Sequence, residues 1–186
     1  MDHASPGFPI LTMLVVVPAV GAVLTALVPK RRPELVRLVG LLASVLTAVL
    51  SIWLLVDFDS DDAGFQFVTK HAWIEPWGIS WHLGVDGISL LLVALTGVLF
   101  PLAMLGADPH RDEKPYLTWL LILEAGVLGS FLSLDLFVFF IFFEIVLVPM
   151  YFLIGGWGYD NRVYAATKFY TLSLHDALPI YRKSVV

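Results

Sequence analysis

Two glutamates stand where almost every neighbour is apolar. Glu144 lies inside "FFIFFEIVLVPMYF" (residues 139–152) and Glu124 inside "LLILEAGVLGSFLSL" (residues 120–134). A charged side chain at the centre of a bilayer costs about 3 kcal/mol even on the gentler insertion scales, so a carboxyl in such a run needs a compensating role. Carboxyls there do one kind of chemistry well, which is to hold a proton in one state and release it in another. Pro149, five residues after Glu144, has no N–H, so the carbonyl of Ile145 loses its helical partner. A freed carbonyl beside a carboxyl makes a polar patch where water can be held. The competing reading is a structural carboxyl, kept neutral by its surroundings and hydrogen-bonded to a neighbouring helix.

The segments that carry these residues have to cross a membrane. The chain has 186 residues, of which 59% are hydrophobic and 15% charged, and its mean hydropathy is +0.85. Soluble domains carry about 25% charge. A hydrocarbon core of about 30 Å takes roughly 20 helical residues. Residues 8–28, 35–56 and 85–105 each satisfy this. The apolar block 116–154 is nearly twice too long for one crossing, so it breaks at Ser133, Leu134 and Asp135, giving spans over 116–134 and 136–154. Glycine terminates helices, so Gly155, Gly156 and Gly158 around Trp157 end the fifth span. The predicted fold is all-α, a polytopic transmembrane bundle of five complete helices and the start of a sixth. The two glutamates then sit on consecutive helices joined by a tight turn, where they face one another or line one hydrated path. Gly126, Gly129, Ser130 and Ser133 form a small-residue stripe suited to close helix packing.

Charge sets the topology and removes some function classes. Asp2 and His3 precede the first span where a cleavable signal would have lysine or arginine, so that span is retained. Lys30, Arg31, Arg32 and Arg37 crowd the first connection, and Asp57, Asp59, Asp61 and Asp62 dominate the second, which places the N-terminus outside. Arg111, Lys114 and Arg162 put the third and fifth connections inside. No cysteine is present, which excludes disulfides, iron–sulfur clusters and thiolate metal sites within these residues. The net charge of −5 and the lack of a basic run leave nothing for nucleic acid to bind. Residues 57–84 form the one sizeable connection. Trp73, Trp77, Ile79, Trp81 and Leu83 alternate there with a period of two, the pattern of a short extended ribbon and an aromatic belt at the interface. His71 and His82 match no metal-ligand spacing.

Three stretches carry a resemblance: "LGVDGISLLLVALTG" (83–97), "LDLFVFFIFFEIVLVPMYFLIGGWG" (134–158) and "RVYAATKF" (162–169). They resemble the amino-terminal part of the antiporter-like subunits of chain 4 (M) type of bacterial proton-pumping NADH:quinone oxidoreductase, respiratory complex I. The resemblance runs from about residue 8 to residue 169. It implies that Glu144 is a proton-pathway residue working with a lysine on the seventh helix of the family, that Glu124 is a second one, and that Pro149 loosens the helix for hydration. It implies inverted repeats with broken helices in the membrane, of which this chain holds only the first part. It also implies no cofactor and no catalytic redox centre in this chain, NADH and quinone bound by other subunits, and as partners the other membrane subunits of the complex and the lipid bilayer. The location implied is the bacterial inner (plasma) membrane, multi-pass. Three alternatives stay open: a subunit of a multi-subunit sodium/proton antiporter or membrane-bound hydrogenase, a structural membrane protein, and an enzyme using both glutamates as an acid–base pair.

Residues 170–186 depart from the family, turning polar in "YTLSLHDALPIYRKSVV". Residues 175–180 can be written CAC GAC GCT CTT CCG ATC, and residues 181–186 TAT CGG AAG AGC GTC GTG. The second string, from its second base, is the reverse complement of most of the first. This inverted repeat resembles a short-read sequencing adapter, so the stretch reads as a non-native tail and His175 and Asp176 carry no function.

Two expected outcomes follow from the charge pattern and the tail. A cysteine placed at Ser60 labels with a membrane-impermeant reagent on intact cells, whereas labelling only after permeabilisation overturns the topology. Amplified genomic DNA of the source replaces residues 171–186 with an apolar continuation of the sixth helix; the same polar ending read without adapters refutes the tail.

Overall fold

A helix inside a bilayer satisfies its own backbone, so the apolar blocks become helices and the polar punctuation sets their ends. The structure, a computed structural model, describes residues 9–59, 61, 64–74, 76, 78–107, 109 and 112–177. Asp2, His3, Phe8, Ser60, Asp62, Trp77, Arg111 and the stretch 178–186 lie outside the described residues. The elements are α1 (Ile10–Leu27), α2 (Pro33–Asp57), β1 (Gln66–Ile74), β2 (Ile79–Val85), α3 (Gly87–Gly106), α4 (Glu113–Leu132), α5 (Leu136–Trp157) and α6 (Arg162–Ala177). Helices α1 to α5 are each long and apolar enough to cross a membrane. They form an up-and-down bundle with β1 and β2 at one end and the basic residues of the α1–α2 connection at the other.

Several helix ends differ from the sequence expectation, each for a local reason. α2 starts two residues early because Pro33 sits at a helix start, where its missing N–H costs nothing. α3 starts at Gly87 because Val85 belongs to β2 and Asp86 caps the helix: its side chain accepts the Ser89 N–H at 2.8 Å, and its own N–H donates to Ser89 Oγ at 2.9 Å. α4 spans Glu113–Leu132. Ser133 and Leu134 are drawn out of it by β2, since Leu83 bridges Ser133 and the Leu134 N–H donates to the His82 carbonyl at 2.9 Å. α5 continues through Gly155 and Gly156 to Trp157. Those glycines do not end the helix, which closes one residue beyond Trp157 at its cap, Gly158.

The period-two ribbon is an antiparallel hairpin, in which His71 faces Trp81 and Thr69 faces Leu83. β1 carries extra residues between Gln66 and Thr69 and between Ala72 and Ile74, and Phe67 takes a positive φ of 54° at the first of these bulges. Ile79, Leu83 and Val85 turn onto the bundle end, packing with Leu11, Leu14, Leu128 and Leu132. Trp81 packs edge-on against Phe142 of α5, with centroids 5.8 Å apart, so this tryptophan takes part in the cap of the bundle. Trp73 remains exposed. His71 and His82 are paired with Trp81 and Lys70, and side chains one register step apart leave opposite faces of a ribbon.

α4 is the central helix, touching α1, α2, α3 and α5. Two apolar clusters stack along it, Leu128 and Leu132 at the hairpin end and Leu117, Leu120 and Leu121 at the basic end. The basic end is closed by Lys114, whose Nζ donates to the Val28 carbonyl at 2.8 Å, and by the pairs Lys30–Asp112 and Arg37–Glu113 at 3.3 and 3.6 Å.

The Asp86 cap is separable from the membrane packing. Backbone and hydroxyl donation from Ser89 holds its carboxyl below the usual carboxylate range. A depressed carboxyl contributes stability that is present above its unfolded pKa and lost as pH falls through the folded one. Asp86→Ala is expected to lower stability in detergent by about 1 kcal/mol, while Asp86→Asn loses much less. Thermal unfolding at neutral and acid pH measures both, and the Ala penalty shrinks on acidification.

Candidate functional site

Glu124 and Glu144 sit on two helices, α4 and α5, that cross closely. A Cβ on Gly126 would lie 2.9 Å from Val146 Cγ2 and 3.3 Å from Ile145 Cγ2, and one on Gly129 would collide with the Phe142 ring. The small-residue stripe on α4 is therefore the surface that admits α5. Its hydroxyls turn back on their own helix, Ser130 Oγ to the Gly126 carbonyl at 2.9 Å and Ser133 Oγ to the Gly129 carbonyl at 2.6 Å.

That crossing decides where Glu124 points. Two residues along an α-helix turn about 200°, so Glu124 leaves the side of α4 opposite Gly126. It meets α2 there: Ser44 Oγ donates to Glu124 Oε1 at 3.1 Å. The carboxyl is fully buried, with 0% of its surface exposed, and Oε2 has no hydrogen-bond partner among the described residues. The sequence reading missed Ser44. Its signal is the run Val36, Gly40, Ser44, Thr47, Ser51 and Leu54, all buried, which places small and hydroxyl side chains at alternating spacings of four and three along an otherwise aliphatic helix. Thr47 and Ser51 donate to the carbonyls of Ala43 and Ala48 at 3.0 and 2.8 Å, as hydroxyls in apolar helices do.

Glu144 has a different setting. It is half-buried on α5, and among the described residues its side chain has no hydrogen-bond or ion-pair partner. Its neighbours along the same stripe meet α6, where Tyr151 packs edge-on against Tyr170 at 5.7 Å and Gly155 faces Ala166. The expectation that the two carboxyls face one another is not met: α4 carries Glu124 on its α2 side, while Glu144 sits on the helix that crosses the opposite side.

Pro149 is buried in α5, which runs through it without interruption. The neighbouring Phe152 stacks on Trp119 of α4 at 4.6 Å. Ile145, whose carbonyl Pro149 cannot serve, lines an apolar groove of about 330 Å³ with Phe142, Gly126, Ala22 and Ala26.

Asp135 is a second residue whose role was missed. The sequence reading used it only as the break between spans. In the structure it is the N-cap of α5: Oδ1 accepts the N–H groups of Phe137 and Val138 at 2.9 and 3.3 Å, and Oδ2 accepts the Ser80 N–H at 3.0 Å. An aspartate directly before an apolar run is the ordinary helix-start signature and was legible as such.

Comparison with known proteins agrees with this architecture. The family model described as NADH:quinone oxidoreductase/Mrp antiporter, TM, matches residues 133–176, which includes the first residues of the stretch read as foreign. NADH-quinone oxidoreductase subunit M of Rickettsia conorii is 43% identical over 141 residues, covering 75% of this chain and 29% of the relative. NADH-ubiquinone oxidoreductase chain 4 of Arabidopsis thaliana is 38% identical over 181 residues, covering 96% of this chain and 37% of the relative. The chain therefore spans little more than a third, or less, of the length of these relatives. Among solved structures, respiratory complex I from Thermus thermophilus with bound NADH contains a chain that superposes with a TM-score of 0.78 at 26% identity, over 91% of this chain and 34% of that one. The chain belongs to the family of antiporter-like membrane subunits that includes subunit M of NADH-quinone oxidoreductase.

Proposed function

We propose that this chain is the amino-terminal part of a proton-translocating subunit of an NADH:quinone oxidoreductase, and that Glu144 carries the proton. The observation that supports this most is the setting of Glu144: a carboxyl inside the most apolar helix of the bundle, half-buried, with no side-chain partner among the described residues. A purely structural carboxyl at that depth would be expected to have found a donor. Glu124, buried with one oxygen hydrogen-bonded and the other without a partner among the described residues, is the second proton-holding group. Pro149 frees the Ile145 carbonyl next to Glu144, where water can be held.

In this reading the redox steps take place in other subunits, which bind NADH and quinone, and this chain contributes a proton path. Its neighbours are the other membrane subunits and lipid. It resides in the inner membrane with its N-terminus outside, so the β1–β2 hairpin faces outward and the basic residues around Arg32 and Arg37 face the cytoplasm. We read residues 170–186 as a non-native tail, a reading against which the family match through residue 176 weighs.

In the full-length subunit, Glu144→Gln keeps size and hydrogen-bonding capacity but cannot titrate. The complex should assemble in normal amount while NADH-driven proton uptake into vesicles falls about tenfold or more, the loss typical of removing a proton-transfer group. Glu144→Asp should retain part of the activity, and Glu124→Gln should do less harm. Normal proton uptake by an assembled Glu144→Gln complex would make the residue structural.

A further inference from the structure

We propose that Asp135 is a positioning residue that ties the depth and rotation of α5, and hence of Glu144, to the extramembrane hairpin. This rests on the reading of Glu144 as a proton carrier. The two oxygens of the carboxylate do separate jobs. Oδ1 caps α5 through Phe137 and Val138, while Oδ2 accepts both the backbone N–H of Ser80 at 3.0 Å and its Oγ at 3.4 Å. The same joint is pinned on either side. The Leu134 N–H donates to the His82 carbonyl at 2.9 Å, a Cβ on Gly84 would lie 3.3 Å from Leu134 Cγ, and Trp81 rests against Phe142, two residues before Glu144. The donation from Ser80 is the largest influence holding the Asp135 carboxyl below the usual range, so it stays ionised at the pH of function.

From this cap to Glu144 is nine residues of unbroken helix, about 13 Å of rod. The first carbonyl that Pro149 leaves unserved is that of Ile145, just beyond Glu144. Glu144 is thus the last residue held firmly from the hairpin end before α5 loosens. A shift of the hairpin is transmitted along the rod to the carboxyl, whereas a shift at the basic end is absorbed at the proline.

Two variants separate the tie from the cap. Asn is as good an N-cap as Asp, so Asp135→Asn retains the cap through Oδ1 but presents an amide donor, in place of Oδ2, to the Ser80 N–H. Ser80→Pro removes that N–H from the other side. It takes no bond from the β1–β2 ladder, because this N–H points to Asp135.

In the assembled complex, the probe is a hydrophobic carbodiimide, which modifies protonated carboxyls in apolar surroundings, with Glu144 modification read by mass spectrometry across pH. Both variants should assemble, change the rate of Glu144 modification several-fold with a displaced pH midpoint, and reduce proton uptake in parallel. The labelling does not depend on pumping, so it reports on the tie even if Glu144→Gln proves harmless. Where one variant fails to assemble, the other decides. Unaltered Glu144 labelling in either assembled variant, or loss of assembly in both, would overturn the role.

Discussion

Lipid tails are as apolar as the side chains that face them, so helices in a bilayer are not driven together by escape from water. They associate where backbones approach closely and where polar groups find partners, and α4 supplies both on opposite faces. Gly126 and Gly129 let α5 lie against it, and Glu124 reaches across to Ser44 of α2. Rotating α4 to relieve one contact would break the other. Its angle is therefore set twice, and the helices it touches inherit their places from it. The polar contact lies at the level between the two apolar clusters, where water is hardest to bring in and where an unpaired oxygen is most costly.

The two glutamates are consequently two sites and not a dyad. Glu124 is enclosed and has one hydroxyl donor. Glu144 is half-buried and without a partner among the described residues. Carboxyls a few ångströms apart split their pKa values by direct repulsion. Carboxyls on opposite faces of a helix pair communicate more weakly, through the intervening packing and any water between them. A proton passing between Glu124 and Glu144 would have to travel around α4 or past the crossing at Gly126, where the adjoining groove is lined by apolar side chains. Parallel roles fit this packing better than direct exchange.

The helices and the exposed ribbon were legible because length, hydropathy and period are local properties. Spans 8–28, 35–56, 85–105, 116–134 and 136–154 each fall on one observed helix. One of the errors at their ends has a tertiary cause, since Ser133 and Leu134 leave α4 because a strand distant in sequence pairs with them; at the other, α5 runs on through Gly155 and Gly156 and is capped at Gly158. Glu124 and Glu144 stand out as candidate chemistry against an apolar background, but the direction in which each points was not legible, since the small-residue stripe of α4 does not say which neighbouring helix it admits. Ser44 was obscured for the opposite reason. A serine in a membrane helix is common, and only the whole run from Val36 to Leu54 distinguishes a buried stripe from isolated hydroxyls. Asp135 was seen as punctuation because its cap is local, whereas its second oxygen binds a residue 55 positions away.

α5 is held differently at its two ends, and this bears on how a carboxyl inside it could be made to change state. The hairpin end is fixed by directional bonds: a carboxylate with four donors and a strand pairing beside it. The basic end is held by rings, Trp157 against Tyr116 and Phe152 against Trp119, contacts that can slide with little loss because stacking has a broad optimum. Between the two lies Pro149, which removes one backbone bond. A helix bonded at one end, sliding at the other and weakened between them bends at the weak turn when pushed. Glu144 stands at the boundary, on the bonded side. The residues beyond Pro149 and α6 can move relative to it without dragging it along, which changes the surroundings of the carboxyl while leaving its own position fixed.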